Sequence, residues 1–168
     1  MTDNEHDRYV HSDIEVAIVQ GDTDLFEELI ADADITHRSN NGSSLLHKSV
    51  NGGNIQIASE LVERGIDIDA EDDTGRTALH KALGMKVWEI AELLIECSAE
   101  VNTVDNHGMT PLKTAVGHAR IDNKFVKLLL EHGADPHLPA DPEKSALEMA
   151  RDLKYRDIIE LLEKATEE

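Results

Sequence analysis

The chain has one cysteine, Cys97, in 168 residues. No intramolecular disulfide is possible, which fits a reducing compartment. Aromatic residues make up only 3%, so rings cannot fill the interior. Hydrophobic residues still reach 40%, enough for a core of small and aliphatic side chains in thin layers. No apolar run approaches the roughly 20 residues that cross a bilayer. The start, Met1-Thr2-Asp3-Asn4-Glu5-His6-Asp7-Arg8, is polar and acidic. It lacks the basic and apolar regions of a secretory signal. The expected location is therefore cytoplasmic or nuclear, with no membrane contact. Positive charge is scarce as well: 16 Lys and Arg stand against 35 Asp and Glu, a net charge of −19. Such a charge repels phosphate backbones and anionic membranes, so no nucleic-acid partner is expected. It favours a partner with a basic surface, or it simply keeps the protein soluble.

Chemistry-bearing patterns are missing too. There is no phosphate loop, nucleophile elbow or zinc-protease motif, and no enzyme or cofactor is expected. Glu71-Asp72-Asp73 lacks the spacing of a calcium loop. His132 and His137 straddle a turn with His118 nearby in sequence. They lack converging ligands, read as surface histidines, and imply no metal.

What the chain does have is a period. Gly42, Gly75 and Gly108 are 33 residues apart, and so are Ser44, Thr77 and Thr110, and Leu46, Leu79 and Leu112. Each glycine suits a tight turn because it tolerates positive φ. Each hydroxyl falls where it can cap the helix that follows. A second apolar series trails each turn: Ile57-Ala58 with Leu61, Ile90-Ala91 with Leu94, Phe125-Val126 with Leu129. Turn, helix, turn, helix every 33 residues is the ankyrin signature. Thr110-Pro111-Leu112-Lys113-Thr114-Ala115 and Thr77-Ala78-Leu79-His80-Lys81-Ala82 are near matches to that family's Thr-Pro-Leu-His-x-Ala. The chain resembles an ankyrin-repeat protein over nearly its whole length.

The resemblance implies an all-α, monomeric solenoid of stacked helix-turn-helix pairs with β-hairpin-like turns. Residues 1–11 are expected to be a flexible acidic lead-in. One repeat domain then covers 12–168, as about five repeats at 12–39, 40–72, 73–105, 106–140 and 141–168. The first and last are caps, whose outer sides meet water. The helices of the most regular repeat are expected near Ala78–Leu83 and Trp88–Glu96. Leu112 to Leu129 spans two residues more than Leu79 to Leu94, so 117–123 holds an insertion. Both a recognition loop and neutral drift fit it.

The family implies a non-catalytic protein–protein interaction module. Its usual binding surface is the concave side, formed by hairpin tips and first helices. Mapped onto this chain, the candidates are Asn40, Asn41 and Ser43; Asp73, Thr74, Arg76 and Met85; Asn106, His107, Met109 and His118; and Asp141 and Lys144. An adaptor or inhibitor docking one folded protein is the leading reading. A chaperone-like escort of a basic protein, of ribosomal or histone type, is the alternative. His47 and His80 occupy the family's histidine position and are expected to bond within and between turns. Lys113 and Glu148 replace them later, so that network should weaken toward the C-terminus. Cys97 and Trp88 are expected as half-buried packing. Leu94 to Asn102 resembles the family's asparaginyl-hydroxylase acceptor pattern, with Asn102 the possible modification site. Its plainer role is a bond between adjacent turns.

Overall fold

The computed structural model describes residues 13–119, 123–138 and 144–166. The acidic lead-in, part of the 117–123 insertion and Asp141 lie outside them. Ten helices appear among the described residues. The first helices of five pairs are α1 (13–20), α3 (Leu45–Gly52), α5 (Ala78–Met85), α7 (Pro111–His118) and α9 (Ala146–Leu153). The second helices are α2 (Thr23–Ile30), α4 (Ile55–Glu63), α6 (Trp88–Glu96), α8 (Lys124–Glu131) and α10 (Arg156–Lys164). One isolated antiparallel bridge, Arg38 with Ser44, is the extent of β pairing among the described residues. The fold is an all-α ankyrin solenoid.

Helices α3, α5, α7 and α9 begin where their cap chemistry dictates, whereas α6, α8 and α10 have no side-chain cap bond. Ser44, Thr77, Thr110 and Ser145 sit in extended backbone and accept the amide of the third helical residue. That satisfies a donor the helix cannot satisfy itself. Pro111 occupies the first turn of α7, where its missing N–H does no harm. Helices of eight or nine residues are marginal alone, so packing must hold them. Leu46, Leu79, Leu112 and Leu147 form one buried row through the first helices, and Leu61, Leu94, Leu129 and Leu162 a second through the outer ones. Both rows belong to one continuous apolar cluster.

Each pair packs on its neighbours, α3 on α5, α5 on α7, α7 on α9, and likewise α2 to α4 to α6 to α8 to α10. The first helices lie closer together than the second helices do. A stack with one tighter row bends toward it, so the first helices form the inner side. Trp88 stacks on Phe125 with ring centroids 4.8 Å apart and is half-buried packing. Cys97 is different. It is the C-cap just beyond the end of α6 and is exposed.

Candidate functional site

The inner side is edged by hairpins that lead into the first helices. Ser39, Asp72 and Asp105 open them, donating their amides to the carbonyls of Ser43, Arg76 and Met109 at 3.0, 2.9 and 2.9 Å. Asp72 Oδ1 accepts the Thr74 amide (2.8 Å), the Thr74 hydroxyl (2.6 Å) and the Arg76 amide (3.2 Å). Burial pushes the Asp72 carboxyl up, but these bonds from Thr74 and Arg76 outweigh it and hold it below its ordinary value. Asp105 Oδ1 does the same for the amides of His107 and Met109, both at 2.9 Å. Consecutive tips are laced together: the Asp73 amide donates to Asn41 C=O at 3.1 Å and the Asn106 amide to Thr74 C=O at 2.9 Å. Gly42 and Gly75 stand in the left-handed region, both at φ +74°. A Cβ on Gly42 would come within 2.8 Å of the Asp73 backbone nitrogen, so the glycine is needed twice over.

His47 and His80 tie each first helix to the next hairpin. The Ser44 amide can only donate, so His47 Nδ1 accepts it, at 3.2 Å. Nε2 therefore carries the proton and donates to Arg76 C=O at 2.8 Å. His80 repeats this with Thr77 (3.3 Å) and Met109 C=O (3.1 Å). Burial is the main reason both rings titrate below the usual histidine value. Lys113 turns instead to Gly108 C=O of its own hairpin, at 2.5 Å, and Glu148 accepts the Ser145 amide, at 2.9 Å. Neither repeats the histidine's reach to the next turn in these bonds.

A pH dependence follows. The folded state holds both rings neutral, while the unfolded chain protonates them near pH 6.5. Below that value the unfolded state binds more protons, so their contribution is lost as pH falls. Carboxylates titrate over an overlapping range, so the comparison must be with a variant. Between pH 7.5 and about 5.5, the melting temperature of the natural chain is expected to drop further than that of His47→Gln with His80→Gln. Parallel curves by scanning calorimetry would refute this.

The candidate residues divide by what they face. Asn40, Asn41, Asp73, Arg76, Asn106, His107 and Lys144 are exposed; Thr74, Met109 and His118 are half-buried. Met85, at the end of α5, is 50% exposed. Ser43 is a correction: it is 2% exposed and offers nothing to a partner. Its position matches Arg76 and Met109 by the 33-residue period, but its short side chain stays in the hairpin. Its hydroxyl has no hydrogen-bond partner among the described residues. Asn106 is tied down by its amide nitrogen on Asp73 C=O, at 3.2 Å. His118 packs edge-on to Trp88 at 6.3 Å, and burial and Lys86 lower its pKa. Lys144 pairs with Asp152. The interlaced tips bring Asn41, Asp73, Thr74 and Asn106 together. Asn102 donates to Gly133 C=O at 3.0 Å and accepts the Asp135 amide at 2.8 Å, so its amide bridges adjacent turns.

Several inner-side residues were not among the candidates. Four of the five most exposed large apolar side chains among the described residues lie on first helices: Val16, Val19 and Leu153, with the candidate Met85. The fifth, Val104, precedes a hairpin, and the second helices hold none. Lys48 and Lys81 follow the histidine positions on α3 and α5. The signal for them was present, since that position is bound to no core layer.

Charge is sorted by side along part of the stack, although α1 holds Asp13 and Glu15, α9 holds Glu148 and Asp152, α8 holds Lys124 and Lys127, and α10 holds Arg156 and Lys164. Between them α3, α5 and α7 hold Lys48, Lys81 and Lys113 and no carboxylate. On the outer side α2, α4 and α6 hold Asp24, Glu27, Glu28, Glu60, Glu63, Glu89, Glu92 and Glu96 and no Lys or Arg. Gly84 leaves its stretch of α5 bare, while at Gly117, one period on, a Cβ would meet Met149 Cε at 3.6 Å. A Cβ on Gly84 would meet nothing within 4 Å, and no positive φ requires glycine there. Gly84→Ala is therefore expected to raise the unfolding free energy by about 0.5–1 kcal/mol. A lower denaturant midpoint would contradict this.

Comparison with known proteins agrees with this architecture. A family model described as ankyrin repeats, three copies, matches residues 14–105, 68–140 and 87–167. Potassium channel AKT1 of Oryza sativa, subspecies indica and japonica, is 36% identical over 58 residues. That stretch is 34% of this chain and 6% of each channel. The chain thus spans a small fraction of those relatives' length. Ankyrin repeats are generally protein–protein interaction modules without catalytic activity. With three overlapping matches running from residue 14 to 167, this chain belongs to the ankyrin-repeat family.

Proposed function

We propose that the chain is a non-catalytic adaptor or inhibitor that docks one partner protein on its inner side, across the hairpin tips and first helices. The observation that carries this is the placement of exposed apolar side chains: Val16, Val19, Met85 and Leu153 all stand on first helices. Apolar anchors beside a polar rim are the usual make-up of a docking surface. Asp73, Arg76 and His107 supply such a rim. They alternate with Gly75, Thr77, Gly108 and Thr110, which the fold needs, so they are free to serve a partner. The similarity to the rice channels, at 6% of their length, transfers no channel activity.

Affinity capture with mass spectrometry tests the reading when run on matched variants. Met85→Ala with Met109→Ala is expected to weaken a captured partner's binding by about tenfold, a modest hot-spot effect, and to leave the melting temperature nearly unchanged. Partners that survive this change and are lost with Glu89→Lys would move the interface to the outer side. A second reading has its own support. The eight carboxylates of α2, α4 and α6 make an acidic outer side that suits escort of a basic protein. Binding there would be strongly salt-dependent and insensitive to Met85.

A further inference from the structure

We infer that the inner side takes an acidic segment of the partner, with the Lys81 ammonium as its anchor; this rests on the docking surface proposed above. The net charge of −19 argues for the opposite ligand, so the local arrangement has to carry the case. It does so through three features.

The first is Lys81 itself. It is half-buried, and its ammonium makes no hydrogen bond or ion pair with any described residue. Burial disfavours its charge, and Lys48 and Arg76 add repulsion, while Asp72 opposes them. Asp72, the strongest charge acting on it, is shared: three donors occupy its Oδ1, and Arg76 Nε lies 4.0 Å from its Oδ2. An unpaired cation held in this way gains from an incoming carboxylate. The second feature is Lys48, on the adjoining helix. It is held by Glu15 at 2.9 Å, and the same carboxylate meets His37 at 3.1 Å. Glu15 is therefore committed and not available to Lys81. The third is the bare floor at Gly84, one turn further along α5. With no side chain there, a backbone can lie close to the helix.

The dimensions agree. Neighbouring helices pack about 8–10 Å apart. A polyproline-type segment rises about 3.1 Å per residue with three residues per turn. Carboxylates three residues apart thus lie about 9 Å apart on one side, which matches the spacing of Lys81 and Lys48 on adjoining first helices; Lys113 is buried and out of reach.

The test uses the full chain and two fluorescein-labelled peptides of about 12 residues, long enough to cross three helices. One has Glu at every third position among Pro and Ala; the other has Lys there. Fluorescence anisotropy at about 50 mM salt limits screening. The Glu peptide is expected to bind about tenfold tighter than the Lys peptide. Lys81→Gln should weaken it about fivefold or more. Lys81→Arg should retain it, and Lys127→Gln on the outer side should change nothing. Tighter binding of the Lys peptide overturns the inference, as does indifference of the Glu peptide to Lys81→Gln, or no binding by either. The inner-side reading is judged separately. If the Lys peptide wins but is weakened by Met85→Ala, the surface stands and only the ligand class falls. If it is instead released by Glu27→Gln with Glu60→Gln, both fall.

Discussion

Leu79→Ala is expected to lower the unfolding free energy by about 2–5 kcal/mol, the usual loss for emptying a well-packed leucine site. Leu79 is 1% exposed and lies in α5, the middle first helix, which packs on α3, α6 and α7. The void would thus open against three helices at once. A short helix has few other contacts with which to close around it. The central position adds to the effect, because repeats are stable mainly through their neighbours. Weakening both interfaces of one repeat weakens the link between the two halves of the stack. Urea unfolding measures the loss. A change under about 0.5 kcal/mol, the size of ordinary surface substitutions, would show that Leu79 is not core.

Gly52→Ala is expected to destabilise by about 1–3 kcal/mol through overpacking, although alanine is the better helix former by up to about 1 kcal/mol. A Cβ on Gly52 would sit 2.2 Å from the carbonyl oxygen of Ile18 and 3.2 Å from that of Val19. Both obstacles are backbone at the end of α1, which cannot swing aside as a side chain does. The first helix pair must shift, so hydrogen exchange should rise in α1 and α2 before it rises elsewhere. Gly84→Ala is the internal control, being the same substitution in a helix with open space above it. If Gly52→Ala stabilises as Gly84→Ala is expected to, the close approach of α1 and α3 is not as described.

The two glycines show where sequence reading succeeds and where it stops. Caps and core rows were legible because their causes are local. Ser44, Thr77 and Thr110 recur at one interval, and the leucines recur with them. Gly52 carried no such signal, since its reason is a carbonyl on another repeat. Ser43 read as exposed because the family's hairpin surface was mapped onto it by position, and position does not register how short its side chain is. Cys97 read as half-buried because it falls late in a helix, but it stands at the cap and is exposed. The candidate site was legible in outline, through the hairpin tips and Met85. Its electrostatics were not. The sum of −19 conceals that α3, α5 and α7 carry only lysine among charged residues, and that Lys81 lacks the partner Lys48 has.

The lacing of hairpin tips, Asn41 to Asp73 and Thr74 to Asn106, joins each repeat only to the next. Under tension along its axis the molecule behaves as a spring of like coils with no strut between distant coils. A small pull widens the spacing between repeats and strains these tip bonds first. A larger pull releases whole repeats one by one, each freeing a length of about 110–120 Å for 33 residues. A partner that bridges neighbouring repeats along the inner side would stiffen that spring, and a stretched spring would hold the partner less well.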